Sequence, residues 1–191
     1  MLFLASQSPR RRELLAQTGL DFEVLDVEVP ELRVAGEPAF DYVRRVAREK
    51  AGAGLMTVAA VPGALILGAD TEVVLDGEVF GKPRDADAAA RMLARLSGRT
   101  HQVLSAVALI NAGCEWQAQC ASSVSLAALD ARDIDAYIAS GEWQGKAGGY
   151  AIQGRAAAFI SRLEGSYSAV MGLPLYETWC LLNQAKAAPG A

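Results

Sequence analysis

The stretch at 65–83, LILGADTEVVLDGEVFGKP, constrains this chain more than any other. It opens on Leu65, Ile66 and Leu67, an apolar run that predicts a buried strand. Two small residues, Gly68 and Ala69, then lead into an acid and a hydroxyl, Asp70 and Thr71, which this pattern places at the strand end. Val73 and Val74 resume a β-branched strand, Asp76-Gly77 predicts a turn, and Gly81-Lys82-Pro83 follows. A carboxylate at a strand end with a lysine shortly downstream can hold a metal–phosphate ligand from two sides.

The flanking sequence reads as strands alternating with helices. Met1–Ala5 is a short buried strand, and Ser8-Pro9 starts a helix, with Ser as N-cap and Pro at its first position, that ends at Gly19. Arg10, Arg11 and Arg12 stand in its first turn, where the helix dipole is already positive. A helix start with free N–H groups, two serines and arginines suits an anion, and a solvated basic face is the plainer alternative. Phe22–Val29 reads as a strand, 39–55 as a helix with a charged face, 85–96 as a helix with Asp85 at its start, and 99–110 and 114–127 as a hairpin at the far end of the sheet. Lys50 falls near the apolar stripe of the second helix; it either points at a site or, more commonly for lysine, snorkels to solvent. Asp130 caps a short helix with Asp133 at its third position. The glycine-rich 141–154 reads as a mobile loop with a tight turn at Gly148-Gly149-Tyr150. A strand at 157–163 and a last helix after Gly172-Leu173-Pro174, burying Leu175, Trp179 and Leu182, complete the chain, with a frayed tail from Ala185 to Ala191. Alternating elements with a hairpin in the middle favour an α/β protein with a mixed sheet.

Composition removes several classes. A chain of 191 residues fits one domain, 1–191, or one domain with two lobes, and 52% apolar residues can bury a substantial core. A net charge of -4 speaks against bulk-field binding of nucleic acid, and no stacking-aromatic array is visible. Three cysteines with no CxxC speak against a disulfide framework or zinc knuckle, and buried free thiols in a reducing cytoplasm are the plain reading. The single histidine, His101, excludes a multi-histidine metal site and any Ser-His-Asp triad that lacks it. No apolar run is long enough for a membrane span.

Two near-matches to a phosphate-cradling lysine loop, GEVFGK at 77–82 and GEWQGK at 141–146, have one residue too few between their glycines and lack the following Ser or Thr. What remains is a set of short polar clusters at the edges of apolar strands: Ser6, Ser8, Arg10 and Arg11, then Glu31, Lys50, Asp70-Thr71, Lys82, Lys146 and Gln153. Each alone has a bland reading as a cap, a surface lysine or a backbone partner.

Together, LASQSPRRRELL, AREKA, LGADTEVVLDGEVFGKPRDADAA, LSGRTHQVLSAVAL and KAGGYAIQGRAAAFISRLEGSYSAVMGLPL resemble the Maf family of nucleotide pyrophosphatases, also called septum-formation proteins. The resemblance implies an inosine-triphosphatase-like α/β fold with a long twisted mixed sheet, two lobes and a deep cleft. It implies hydrolysis of a nucleoside triphosphate between the α and β phosphates with a divalent metal, Mg2+ or Mn2+. GYAIQG at 149–154 matches the branch similar to dTTP/UTP pyrophosphatases, whereas the branch similar to 7-methyl-GTP pyrophosphatases lacks this Ile-Gln-Gly. By position, Asp70 matches the proton acceptor. Arg11 or Arg10, Thr71 and Gln153 match residues tied to base choice, and Ser8, Glu31, Lys50 and Lys82 match polar residues lining the cleft. The mechanism expected on this basis has a metal held partly by Glu31 and Asp70 and a triphosphate clamp of Arg10, Arg11, Lys50 and Lys82; the resemblance implies a homodimer, and the cysteine usage a cytoplasmic protein. Gly145 stands where relatives often have Asp, which leaves the pairing of the substrate-binding candidate Lys146 open, and Pro30 stands where they often have a second acid. The rival expectations are a nucleotide-binding regulator of septum formation that does not cleave, a 7-methyl-GTP- or ITP-preferring pyrophosphatase, and a nucleic-acid module using Arg10–Arg12.

Overall fold

The computed structural model describes residues 1–187. Its elements in chain order are β1 (Leu2–Ala5), α1 (Pro9–Ala16), β2 (Phe22–Leu25), α2 (Ala39–Thr57), β3 (Leu65–Leu75), β4 (Glu78–Phe80), α3 (Ala86–Leu96), β5 (Thr100–Ile110), β6 (Glu115–Leu126), α4 (Ala131–Ala139), β7 (Ile160–Glu164), α5 (Tyr167–Met171) and α6 (Leu175–Ala187). The strands form one mixed seven-stranded sheet in the order β2-β1-β3-β5-β6-β7, with β4 paired to β3. β1 runs parallel to both β2 and β3, Leu2 standing opposite Phe22 on one side and Leu65 on the other. The α/β class with a mixed sheet and flanking helices is as the sequence predicts.

The chain divides into two compact units. The first holds 1–71, 105–120 and the chain from Gly172 on; the second holds 72–104 and 121–171. In the first, Leu4, Leu15, Val43, Val46, Ile66 and Leu67 are fully buried. Gly68 sets how closely α2 lies on β3, since a Cβ there would sit 2.3 Å from the Ala47 carbonyl oxygen and 2.6 Å from the Ala51 nitrogen. In the second, Val73, Leu93, Leu96, Val124 and Tyr137 form the core, and α3 packs against α4. Its helices start as their sequences dictate: Asp85 Oδ1 accepts from the Ala88 N–H at 2.7 Å, and Asp130 and Asp133 form a reciprocal capping box. The β3–β4 turn is made by Asp76 (φ 51) and Gly77 (φ 79), the left-handed pair that a two-residue hairpin requires.

Several expectations change. β3 continues through Asp70, so that acid stands in mid-strand and not at a strand end. β2 stops at Leu25, and 155–159 is a 3-10 turn before β7. The β5–β6 hairpin lies inside the sheet, beside β3, because β7 adds beyond β6. The 141–154 segment is ordered by tight turns, with Gly148 through Ile152 buried. Trp179 is 44% exposed because the buried face of α6 is Thr178, Leu181, Leu182 and Ala185. The three cysteines are free, as expected, but Cys114 is exposed and Cys120 and Cys180 are half-buried. Ala185–Ala187 closes α6 where a frayed tail was expected, and the rest of that tail, 188–191, lies outside the described residues.

Candidate active site

Lys50 owes its position to the spacing of α2. Ala47, Ala51 and Gly54 share the face that meets β3, as the 3–4-residue helical repeat requires. Their small side chains bring the helix axis close, and Lys50, three residues from Ala47, is carried in with them. The outcome opposes the snorkelling expectation: Lys50 is 7% exposed, with Nζ 2.7 Å from Asp70 Oδ1 and 2.6 Å from Glu31 Oε1. Asp70 itself is 4% exposed, and its second oxygen, Oδ2, is buried with no hydrogen-bond partner among the described residues. The ammonium offsets the cost of burying the carboxylate on one side, and the other side remains a buried acceptor.

Glu31 reaches this pair from an irregular loop that α2 holds at several points. The Tyr42 hydroxyl donates to the Glu31 carbonyl at 3.0 Å. Arg45 donates to both Glu37 oxygens at 2.8 and 2.9 Å, to the Leu32 carbonyl at 3.0 Å and to Glu49. The Arg45 guanidinium holds the Glu37 carboxyl down to about 2, so this tie persists across the neutral range.

The start of α1 is open at its cap. Ser8 has extended backbone angles but makes no side-chain capping bond; instead its own N–H donates to Ser6 Oγ at 3.2 Å. Arg11 donates through Nε to the Gly172 carbonyl at 2.7 Å and through Nη1 to Ser6 Oγ at 3.5 Å. Arg10 is half-buried and Arg12 exposed. Thr71 shares a hydrogen bond of 2.8 Å with Ser105 Oγ, a fully buried partner that nothing in the local sequence marks.

The structure therefore brings Glu31, Lys50 and Asp70 into direct contact and ties Arg11 and Thr71 to buried serines. Lys82, Lys146 and Gln153 belong to the second unit. Lys82 and Gln153 are exposed there, and Lys146 Nζ donates to the Gln144 carbonyl at 2.9 Å. Sequence reasoning missed Glu72, which is 6% exposed and falls on the same strand face as Asp70 by β alternation. Its signal was an acid set among Thr71, Val73 and Val74 in a buried run.

The donors present fit a small hard cation. Glu31 and Asp70 supply carboxylate oxygens only, and Asp70 Oδ2 is a buried acceptor in need of a partner. Among the described residues no group of three or more His, Cys, Asp or Glu is arranged around one point. Two carboxylates with the remaining positions filled by substrate phosphates and water is the usual arrangement for Mg2+.

The family model described as Maf-like protein matches residues 1–185. A protein of Methylococcus capsulatus named dTTP/UTP pyrophosphatase is 59% identical over 95% of this chain and 89% of its own length. One from Xanthomonas euvesicatoria with the same name is 59% identical over 96% and 97%. A nucleoside triphosphate pyrophosphatase of Xylella fastidiosa is 57% identical over 96% and 97%. The solved Staphylococcus aureus Ham1 structure matches with a TM-score of 0.43 and 14% identity over 65% of this chain and 71% of its own, and at that level assigns no fold. With a family match along almost its whole length and relatives near three-fifths identity, the chain belongs to the Maf family.

Proposed function

We propose that this chain hydrolyses dTTP and UTP to the nucleoside monophosphate and pyrophosphate, the whole chain acting as one catalytic domain. The observation that carries the reading is the buried Lys50–Asp70 pair, in which Asp70 Oδ2 is a buried acceptor unpaired among the described residues. A carboxylate anchored through one oxygen, with its second a buried acceptor, suits orienting a water brought in with the substrate and accepting its proton. The water oxygen attacks the α-phosphorus, the bond to the bridging oxygen breaks, and the pyrophosphate leaves with that oxygen. Lys50 holds Asp70 in place through this step and Glu31 holds Lys50. Glu31 and Asp70 would hold a divalent cation, which would supply charge neutralisation at the phosphates.

Arg10 and Arg11, at the open start of α1, are suited to grip phosphate oxygens, and Ser8 offers an N-terminal hydroxyl beside them. Lys82 and Lys146, in the second unit, are further substrate-binding residues of this proposal. Gln153 and Thr71 each donate and accept hydrogen bonds, which suits the edge of a pyrimidine. A site built to pair such an edge rejects a base that leaves its polar groups unmatched. A cytoplasmic homodimer acting in nucleotide-pool housekeeping and cell-division arrest belongs to the same proposal and rests on family membership alone.

The test is pyrophosphate release from dTTP, UTP, CTP, 7-methyl-GTP, ITP and the standard purine triphosphates, with Mg2+ or Mn2+ and an EDTA control. Preferential cleavage of dTTP and UTP that stops in EDTA is expected. Preference for 7-methyl-GTP or ITP overturns the base assignment and keeps the reaction. Binding without release from any of them replaces the enzyme with a nucleotide-sensing regulator.

A further inference from the structure

His101 takes no part in the chemistry above, yet it is the only histidine in the chain and is 2% exposed. Its Nε2 lies 2.7 Å from the Tyr150 hydroxyl, with the two rings edge-on at 5.5 Å. Its Nδ1 is buried with no hydrogen-bond partner among the described residues. An apolar pair such as Leu and Phe would fill both positions without leaving a polar atom unsatisfied, so the imidazole and phenol together are a costly choice unless the bond between them has a use. Burial keeps the pair neutral, pushing His101 down to about 4 and the Tyr150 phenol up.

Tyr150 opens the segment that carries Gln153. Before it stand Gly148 (φ 69) and Gly149 (φ 73), left-handed positions that carry the greatest backbone freedom when unfastened. A Cβ on Gly148 would lie 2.8 Å from Val73 Cγ2, so the backbone here lies directly on β3. The Gly148 N–H donates to the Gly81 carbonyl at 3.2 Å, and the Ala151 N–H donates to the buried Tyr137 hydroxyl at 3.0 Å. Beyond Gln153, the Gly154 N–H donates to the Ala151 carbonyl at 3.0 Å and the Arg155 N–H to Glu142 Oε2 at 2.7 Å. Gln153 itself is exposed, so its location is set by these neighbours and not by its own packing. Among them Tyr150 is the side chain that fastens the glycine pair to the sheet, through β5.

We propose that the His101–Tyr150 hydrogen bond is a latch that positions the Gln153 segment, making both residues positioning residues for base selection. The inference rests on the reading of Gln153 as the residue that meets the base. Neither His101 nor Tyr150 touches nucleotide; they act through the backbone between Gly148 and Gln153.

The experiment compares wild type, Tyr150→Phe and Gln153→Ala in steady-state hydrolysis of dTTP, UTP and CTP, alongside thermal unfolding and amide exchange across 148–154. Tyr150→Phe keeps the ring and removes the bond. For it we expect KM for dTTP and UTP to rise about five- to tenfold and kcat to fall less than about twofold. The dTTP-over-CTP preference falls by a similar factor, and the 148–154 amides exchange faster. A single common loss of kcat/KM across all three nucleotides, in step with a lower Tm, is what a purely structural bond gives, and it overturns the latch. If Gln153→Ala loses the preference while Tyr150→Phe keeps it, the latch falls and the reading of Gln153 stands. If Gln153→Ala keeps the preference, the reading of Gln153 falls and the latch's role in selection falls with it. Should Tyr150→Phe not fold, His101→Gln, which still offers the hydroxyl a partner, is expected to retain the preference that His101→Leu loses. Equal selectivity in those two proteins overturns the proposal.

Discussion

Lys50 is the residue on which the charge balance of the first unit turns. Its ammonium stands between Asp70 and Glu31, and Asp70 has almost no access to water. Removing one partner of a buried ion pair leaves the other desolvated and uncompensated, so Lys50→Ala is expected to cost about 3–5 kcal/mol, read by urea unfolding. Asp70→Asn retains the volume and loses the proton acceptor; kcat should fall about 10²–10⁴-fold while nucleotide binding persists, and turnover at the wild-type rate removes Asp70 from the mechanism. His101 gives a pH signature of a different kind. Burial lowers it from 6.5 to about 4, so between those values the unfolded chain binds a proton that the folded one refuses. Stability is therefore full above about pH 6.5, declines as pH falls toward about 4, and levels below that, with a total loss of about 3 kcal/mol at most. Unfolding at pH 7 and pH 4.5 checks this, because His101→Phe should lack that part of the decline that wild type shows.

At the scale of elements, the contact of α2 with β3 decides whether a site exists. Gly68→Ala would drive a methyl group into the Ala47 carbonyl and the Ala51 nitrogen, backbone atoms that cannot turn aside. The helix must move, and Lys50 with it, so the variant should lose more than about 2 kcal/mol in unfolding and lose activity together with stability. By contrast Asp130→Ala, which removes half of a capping box far from this contact in sequence, should cost about 0.5–2 kcal/mol in the same measurement. The sequence showed where most elements lie because caps, turn residues and apolar periods are local signals: Asp85, Asp130 and the Asp76-Gly77 turn all act as written. It misplaced Asp70 at a strand end because an acid inside an apolar run reads as a terminator unless its counter-charge is known, and that charge comes from twenty residues away on another element. Trp179 and the 141–154 segment were misread for the same reason. Which face of α6 is covered, and what buries a glycine-rich turn, are decided by tertiary neighbours and not by composition.

On the scale of the whole molecule, family membership points to one reaction class. The relatives named for dTTP/UTP or nucleoside triphosphate pyrophosphatase activity align along 95–96% of the chain. The cluster of Glu31, Lys50 and Asp70, legible in sequence only as scattered polar residues, comes together as one ion-paired group. Ser105, the partner of Thr71, and the His101–Tyr150 bond were not legible at all, since each joins residues far apart in the chain through contacts that no local pattern announces. The central claim is attack by water at the α-phosphorus, and hydrolysis of dTTP in ¹⁸O-labelled water with Mg2+ tests it most directly. Label is expected in dTMP and not in the pyrophosphate; label in the pyrophosphate, or release of orthophosphate in its place, rules out attack at the α-phosphorus.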